Sequence, residues 1–216
     1  MTNIAENIQS VKAKITAIRP GAELIAVSKN HDATKVREAL VAGQYIFGEN
    51  RVQEAAGKFP ALREEFPNLK LHLIGPLQTN KVKDALELFD VIQTVDREKL
   101  ARAFAKDLNE NSRTKEFFIQ VNIGEEPQKA GIAPQQTEEF FKFCTQDLKL
   151  NITGLMCIPP VDEQAFMYFA LLKNITLKLP TPNLKLSMGM SSDYEEALEM
   201  GADYIRVGTA IFGERS

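Results

Sequence analysis

The chain has 216 residues, of which 44% are hydrophobic and 25% charged, ordinary values for one globular domain. That composition excludes a disordered chain, a collagen-like repeat and a disulfide-stapled miniprotein, and no run of about 18 apolar residues is present to span a membrane. Lys plus Arg number 26 against 29 Asp plus Glu, a formal net charge of -3, so the basic excess of a nucleic-acid binder is missing.

The two cysteines, Cys144 and Cys157, sit in apolar runs and predict buried packing in a reducing compartment rather than a disulfide framework. The opening MTNIAENIQSVKAKI lacks the apolar core of a secretory signal, so a cytoplasmic location is expected.

In chain order, Ile4, Ile8, Val11, Ile15 and Ile18 recur at helical spacing and predict a first helix over 3–18 with one buried face. A short β-like run follows at 24–27, then a helix from 32 to 41 and a strand at 45–47. Asn50 with Gln53 three residues on has the pattern of a capping box opening the next helix. Further strands are predicted at 71–74, 91–95, 117–123, 152–157, 184–187 and 204–207. Helical segments at 78–89, 97–109, 134–147, 163–178 and 193–200 separate them.

Strands alternating with helices indicate βαβ units and a parallel sheet. Eight strands in one domain predict a closed (β/α)₈ barrel of the TIM type over residues 1–216, with an extra N-terminal helix. The runner-up is an open doubly wound sheet, disfavoured because no strand leads into a GxGxxG turn. In either fold the functional residues belong at the C-terminal ends of the strands.

Three such ends carry chemistry. Lys29 closes the first strand, as Val27-Ser28-Lys29. It is either a solvated lysine or, among apolar walls, an amine of lowered pKa able to form a Schiff base with an aldehyde. Ser187-Met188-Gly189-Met190-Ser191-Ser192-Asp193 follows the seventh strand, where Ser192 to Glu195 reads as a capping box and offers N–H and hydroxyl donors for a phosphate. Arg206-Val207-Gly208-Thr209 ends the eighth, adding Gly208 and Thr209 as phosphate donors beside Arg206, which either points inward and needs a partner or faces out between barrel and helix. His72 reads as a hydrogen-bonded core residue. Neither metal-ligand spacing, a nucleophile elbow nor a Walker A loop is present.

A Schiff-base lysine, a phosphate cradle and a buried arginine together point to a phosphorylated aldehyde. Pyridoxal 5'-phosphate (PLP) fits all three, with its aldehyde at Lys29, its phosphate at Ser191, Gly208 and Thr209, and its pyridine nitrogen at Arg206. A sugar-phosphate aldolase would share the lysine and the phosphate site without needing the arginine.

The motifs also carry a family resemblance. They are Phe47-Gly48-Glu49-Asn50-Arg51-Val52-Gln53-Glu54, His72-Leu73-Ile74-Gly75-Pro76-Leu77-Gln78-Thr79-Asn80-Lys81, Gly154-Leu155-Met156, Ser187 to Ser191, and Arg206 to Gly213 with the terminal Glu214-Arg215. In this order, over nearly the whole chain, they resemble the PLP homeostasis proteins. The resemblance implies a barrel like the N-terminal domain of alanine racemase and Lys29 as the aldimine lysine. It also implies Arg206 at the ring nitrogen, Ser191, Gly208 and Thr209 at the phosphate, Asn50 near the cofactor, and Lys129, in Gln128-Lys129-Ala130-Gly131, as an accessory to cofactor handling.

Two departures stand out: residues 159–180 are shorter than is usual for the family, and Ser192 stands where an acidic residue is common. The function implied is a monomeric cytoplasmic carrier that exchanges PLP, with apo PLP-dependent enzymes as partners, and no nucleic acid or membrane. The alternative is a racemase-type PLP enzyme. The chain ends nine residues after Val207, leaving no room for the further domain that supplies a second base in alanine racemase, so no substantial amino-acid chemistry is expected.

Overall fold

The computed structural model describes residues 3–213; Glu214 and Arg215 of the terminal motif lie outside the described residues. Seventeen strands and α-helices alternate: α1 Ile4–Ile18, β1 Glu23–Val27, α2 Ala33–Val41, β2 Ile46–Glu49, α3 Val52–Glu65, β3 Lys70–Leu73, α4 Val82–Leu88, β4 Val91–Val95, α5 Glu98–Asp107, β5 Glu116–Val121, α6 Thr137–Lys142, β6 Ile152–Cys157, α7 Ala165–Lys178, β7 Lys185–Ser187, α8 Tyr194–Met200, β8 Tyr204–Val207 and α9 Thr209–Phe212. The eight strands pair in parallel in sequence order, and β8 returns to β1, closing the barrel. The expected (β/α)₈ architecture is therefore present, with α1 as its additional helix.

The alternation of side chains along each strand divides the apolar residues into two sets. Outward residues such as Leu24, Phe47, Leu71, Ile92, Phe117, Leu155 and Ile205 join the helices in the main core. Inward residues Ile25, Val91, Phe118, Met156 and Tyr204 form a smaller cluster that fills the barrel. This is a packed interior and not a pore. Helix α1 begins where the Asn3 side chain accepts the Glu6 N–H at 3.1 Å, and its buried stripe is Ile4, Ile8, Val11 and Ile15. Both cysteines are free and buried, as their apolar surroundings predicted, and burial pushes each thiol up to about 12.

Several local expectations need correction. Asn50 does not cap α3: the cap position is Arg51, and no side chain bonds there. Asn50 is instead held where Gly75 presses on it, since a Cβ on Gly75 would come within 2.4 Å of the Asn50 carbonyl oxygen. The capping box at Ser192 is also absent. Asp193 occupies the cap position of α8, and its Oδ1 reaches back to the Met190 N–H at 2.6 Å. The helix expected over 134–147 is three pieces, a 3₁₀ turn at Pro134–Gln136, α6, and a π-helical turn at Phe143–Asp147. The strand expected to run to 123 stops at Val121, where the Asn122 side chain folds the chain back by bonding Glu126 through both its amide nitrogen and its oxygen. Finally, β8 leads directly into the short helix α9.

Candidate functional site

Beyond the C-terminal ends of the strands lies a cavity of about 500 Å³. Lys29, Asn50, Ser191, Arg206, Gly208 and Thr209 line it, together with apolar walls from Val27, Ile74, Ile158 and Met190. Six of the seven residues singled out from the sequence thus meet in one space. Alternation along β1 and its extension puts Val27 and Lys29 on the same inward side, which is why the lysine enters the mouth. A larger depression of about 740 Å³ lies at the opposite end of the barrel, around Arg19, Asn183 and Asp203. Its Arg19–Asp203 pair, at 2.7 Å, links the end of α1 to the start of β8.

Lys129 lies elsewhere. It stands in the loop after β5, paired with Glu126 and donating to the Pro159 carbonyl at 3.2 Å, outside the lining of the cavity.

Arg206 is buried inside the barrel and its guanidinium borders the cavity. One nitrogen donates to Ser187 Oγ at 2.8 Å and another to the Cys157 carbonyl at 2.8 Å. Among the described residues no carboxylate forms an ion pair with it, and burial pushes it below its usual pKa. A buried arginine that pairs with no carboxylate leaves its remaining N–H bonds for an acceptor in the cavity.

The bonds of Arg206 continue across the barrel. Ser187 Oγ–H donates to Gln93 Oε1 at 2.6 Å, and Gln93 Nε2 meets His72 Nδ1 at 2.9 Å. Arginine can only donate, so the direction of the relay is fixed: Ser187 passes its proton toward Gln93, whose amide then donates to His72. This assigns His72 the tautomer with hydrogen on Nε2. Burial, helped by Lys70 and Lys185, pushes the His72 pKa down to about 3, so the ring is neutral. It is the hydrogen-bonded core histidine expected from the sequence.

The loops after β7 and β8 supply donors of another kind. The N–H groups of Ser191, Ser192, Gly208 and Thr209 donate to no backbone carbonyl among the described residues. Ser191 and Thr209, which also carry hydroxyls, are among the residues that line the cavity. Met190 N–H, by contrast, is taken by Asp193, whose own pKa is raised by burial. Gly189 makes this turn possible: its φ is +91°, and a Cβ there would approach Ala197 Cβ to 2.5 Å. Converging N–H and hydroxyl donors suit a phosphate. With the donor-rich wall, the guanidinium and the lysine on one cavity, the residues present fit PLP. No cluster of three His, Cys, Asp or Glu able to hold a metal ion exists among the described residues.

Sequence reasoning missed two contributors. His31 lines the cavity with its ring 5.0 Å from that of Phe212, and its spacing two residues after Lys29 was the available signal. Gln93 is fully buried at the irregularity where β4 shifts register against β5. The sequence carries two polar residues in this strand, Gln93 and Thr94, and nothing in it distinguishes which one faces the barrel interior.

Comparison with known proteins agrees with this geometry. The family described as "Alanine racemase, N-terminal domain" matches residues 1–216. The pyridoxal phosphate homeostasis protein of Vibrio cholerae is 40% identical over 222 residues, covering 99% of this chain and 94% of the relative. That of Escherichia coli K12 is 36% identical over 229 residues, covering 100% and 98%. Among solved structures, PipY of Synechococcus elongatus, determined with PLP bound, superposes with a TM-score of 0.85 at 39% identity, covering 97% of this chain and 100% of that one. Alanine racemase from E. faecalis shares the fold, with a TM-score of 0.75 at 16% identity over 99% of this chain and 59% of its own. The chain therefore belongs to the pyridoxal phosphate homeostasis proteins, a family built on the N-terminal domain of alanine racemase.

Proposed function

We propose that this protein binds PLP at the mouth of its barrel and serves PLP homeostasis, holding the cofactor as a Schiff base on Lys29 and passing it on without substantial amino-acid chemistry. The observation that carries this reading is the meeting of Lys29, the uncommitted donors after β7 and β8, and a buried arginine without a carboxylate partner on one cavity. The bound group supplies an aldehyde, which condenses with an amine to a carbon–nitrogen double bond with loss of water.

Each residue has a distinct task in this reading. Lys29 provides the amine. Ser191, Gly208 and Thr209 hold the phosphate through N–H and hydroxyl donors. Arg206 donates to the ring nitrogen, which must then be an unprotonated acceptor. An unprotonated ring draws electrons weakly, which favours holding the group over carbanion chemistry. Asn50 borders the same space, and Lys129, in the loop after β5 and outside the cavity lining, is an accessory in cofactor handling. We take residues 1–216 as one binding unit, acting as a cytoplasmic monomer with apo PLP-dependent enzymes as recipients.

The test has two arms. PLP-treated protein is reduced with borohydride and its peptides are mapped by mass; the pyridoxyl group is expected on Lys29. The loaded protein is then incubated with single L- and D-amino acids in deuterium oxide, and in parallel with an apo PLP enzyme. Reactivation of the apo enzyme without Cα exchange is expected. A label mainly on Lys129 or Lys81, or Cα exchange at several turnovers per second without delivery, would overturn the reading and favour a racemase-type enzyme.

A further inference from the structure

On the far side of β1 and β2 from the cavity, a second group of polar residues is buried between the barrel and α3. Its centre is Lys58, whose side chain is 9% exposed. The ammonium donates to Glu49 Oε1 at 2.6 Å and Glu54 Oε1 at 2.9 Å. It also reaches two main-chain carbonyls of the turn that follows β1, Ser28 at 3.0 Å and His31 at 3.0 Å. Three N–H bonds thus face four acceptors, all belonging to the protein. The carboxylates grip the same turn from the other direction. Ser28 Oγ donates to Glu49 Oε1 at 2.7 Å, and Asn30 N–H donates to Glu54 Oε1 at 2.6 Å.

The turn so gripped runs from Ser28 to His31, closed by its own His31 N–H to Ser28 carbonyl bond at 3.1 Å. Asn30 within it has φ +64°, a left-handed conformation that asparagine tolerates better than most L-residues. Lys29 lies between Ser28 and Asn30, the two residues of the turn that the carboxylates hold. Glu49 is wholly buried and its second oxygen, Oε2, bonds nothing, so the group is not an optimised stabilising ion pair.

We propose that Lys58 is a positioning residue for Lys29: anchored on Glu49 and Glu54, it fixes through the Ser28 and His31 carbonyls the turn from which Lys29 enters the cavity. This rests on the reading of Lys29 as the reacting amine. The consequence is that the reactivity of Lys29 is set from the opposite face of the sheet, by residues that never touch the ligand.

Lys58→Met alone leaves the buried Glu49 carboxylate without its cation and facing the part-exposed Glu54, so the informative variant is Lys58→Met/Glu49→Gln/Glu54→Gln, in which no uncompensated charge remains. Glu54→Gln, at a less buried position, serves as a second variant that weakens the grip on Asn30 and one of the two carboxylate anchors of Lys58 while leaving Glu49 in place. Ligand-free protein is followed by hydrogen exchange of the 28–31 amides and by acylation of Lys29 with acetic anhydride. PLP-treated protein is followed by the rate at which borohydride fixes the label on Lys29. Thermal midpoints are recorded alongside, and competition by inorganic phosphate reports the phosphate donors.

At a thermal midpoint close to that of the unmutated protein, the triple variant is expected to exchange its Asn30 and His31 amides faster. It should label Lys29 more slowly by about tenfold, with phosphate competition unchanged. Unchanged exchange and unchanged labelling in both variants would overturn the positioning role while leaving PLP binding intact. Absence of label on Lys29 in the unmutated protein would instead overturn the functional reading. In that event faster amide exchange and altered acylation in the variants still support Lys58 as the residue that sets Lys29, and their absence refutes it.

Discussion

Gln93→Leu severs the buried relay at its middle. The side chain is 0% exposed, so replacing an amide by an isobutyl group of similar size leaves no large void, and the cost is almost entirely polar. Two bonds disappear, the Ser187 hydroxyl to Oε1 at 2.6 Å and Nε2 to His72 Nδ1 at 2.9 Å. A buried group left without a partner costs about 1–3 kcal/mol. Ser187 Oγ still accepts from Arg206, so its loss lies at the lower end, whereas His72 Nδ1 loses the bond that satisfied it. The sum is about 2–4 kcal/mol, a fall in thermal midpoint of roughly 5–15 °C for a chain of this size. Adding His72→Phe removes the orphaned acceptor, so the double variant should be more stable than additivity predicts by about 1 kcal/mol or more. Urea unfolding followed by circular dichroism measures all four corners of the cycle. A loss below about 0.5 kcal/mol for Gln93→Leu, or strict additivity, would show that the relay contributes nothing.

Three more outcomes are expected. The His72 pKa falls from 6.5 to about 3 on folding. Its contribution to stability is therefore fully present above pH 6.5 and is lost as the pH drops toward 3, at about 1.4 kcal/mol per pH unit. Comparing urea midpoints at pH 7 and 4.5 for unmutated and His72→Phe protein should show a difference in pH dependence of about 2.5 kcal/mol, and equal pH profiles would contradict a neutral buried ring. Ser191→Ala and Thr209→Val should each weaken PLP by about 10- to 100-fold, the worth of a donor to a charged group; titration calorimetry showing pyridoxal and PLP bound equally well would remove the phosphate cradle. Gly189→Ala forces a side chain into φ +91° and against Ala197, and should destabilise by more than about 1 kcal/mol, with α8 displaced and phosphate affinity lowered in the same calorimetry.

The strands were the most legible part of the fold. Those at Val91–Val95, Ile152–Cys157 and Tyr204–Val207 lie where short runs rich in apolar residues placed them, because a strand covered on both faces needs no strict alternation. Helix starts were less legible. Asn50 and Ser192 have the residue types of a cap, but tertiary contacts took both positions: Gly75 presses on Asn50, and Asp193 turns its carboxylate to Met190. In the candidate site, Lys29, Arg206 and the donors after β7 and β8 were visible because strand order brings strand ends together. Gln93 was not, since nothing in Val91–Val95 tells which polar side chain the register shift turns inward. Lys58 to Glu54 is a helical i,i+4 pair that spacing alone reveals, whereas Lys58 to Glu49 joins a helix to a strand and exists only once β2 and α3 have packed.

The relay from Arg206 to His72 has a mechanical side as well. It starts on β8, passes through Ser187 on β7 and ends on β4 and β3, so it spans the bore from one wall to the opposite one. Closed barrels resist stretching around their circumference but deform readily by flattening, because hydrogen bonds between neighbouring strands pivot. A rigid spoke across the diameter opposes that flattening at the layer just below the cavity. Any change in the outline of the mouth would therefore have to strain the bonds of the spoke. In the proposed function, where PLP is taken up and given away repeatedly, a brace of this kind favours a container of constant shape and leaves the proposed Schiff base at Lys29 as the step that sets residence time.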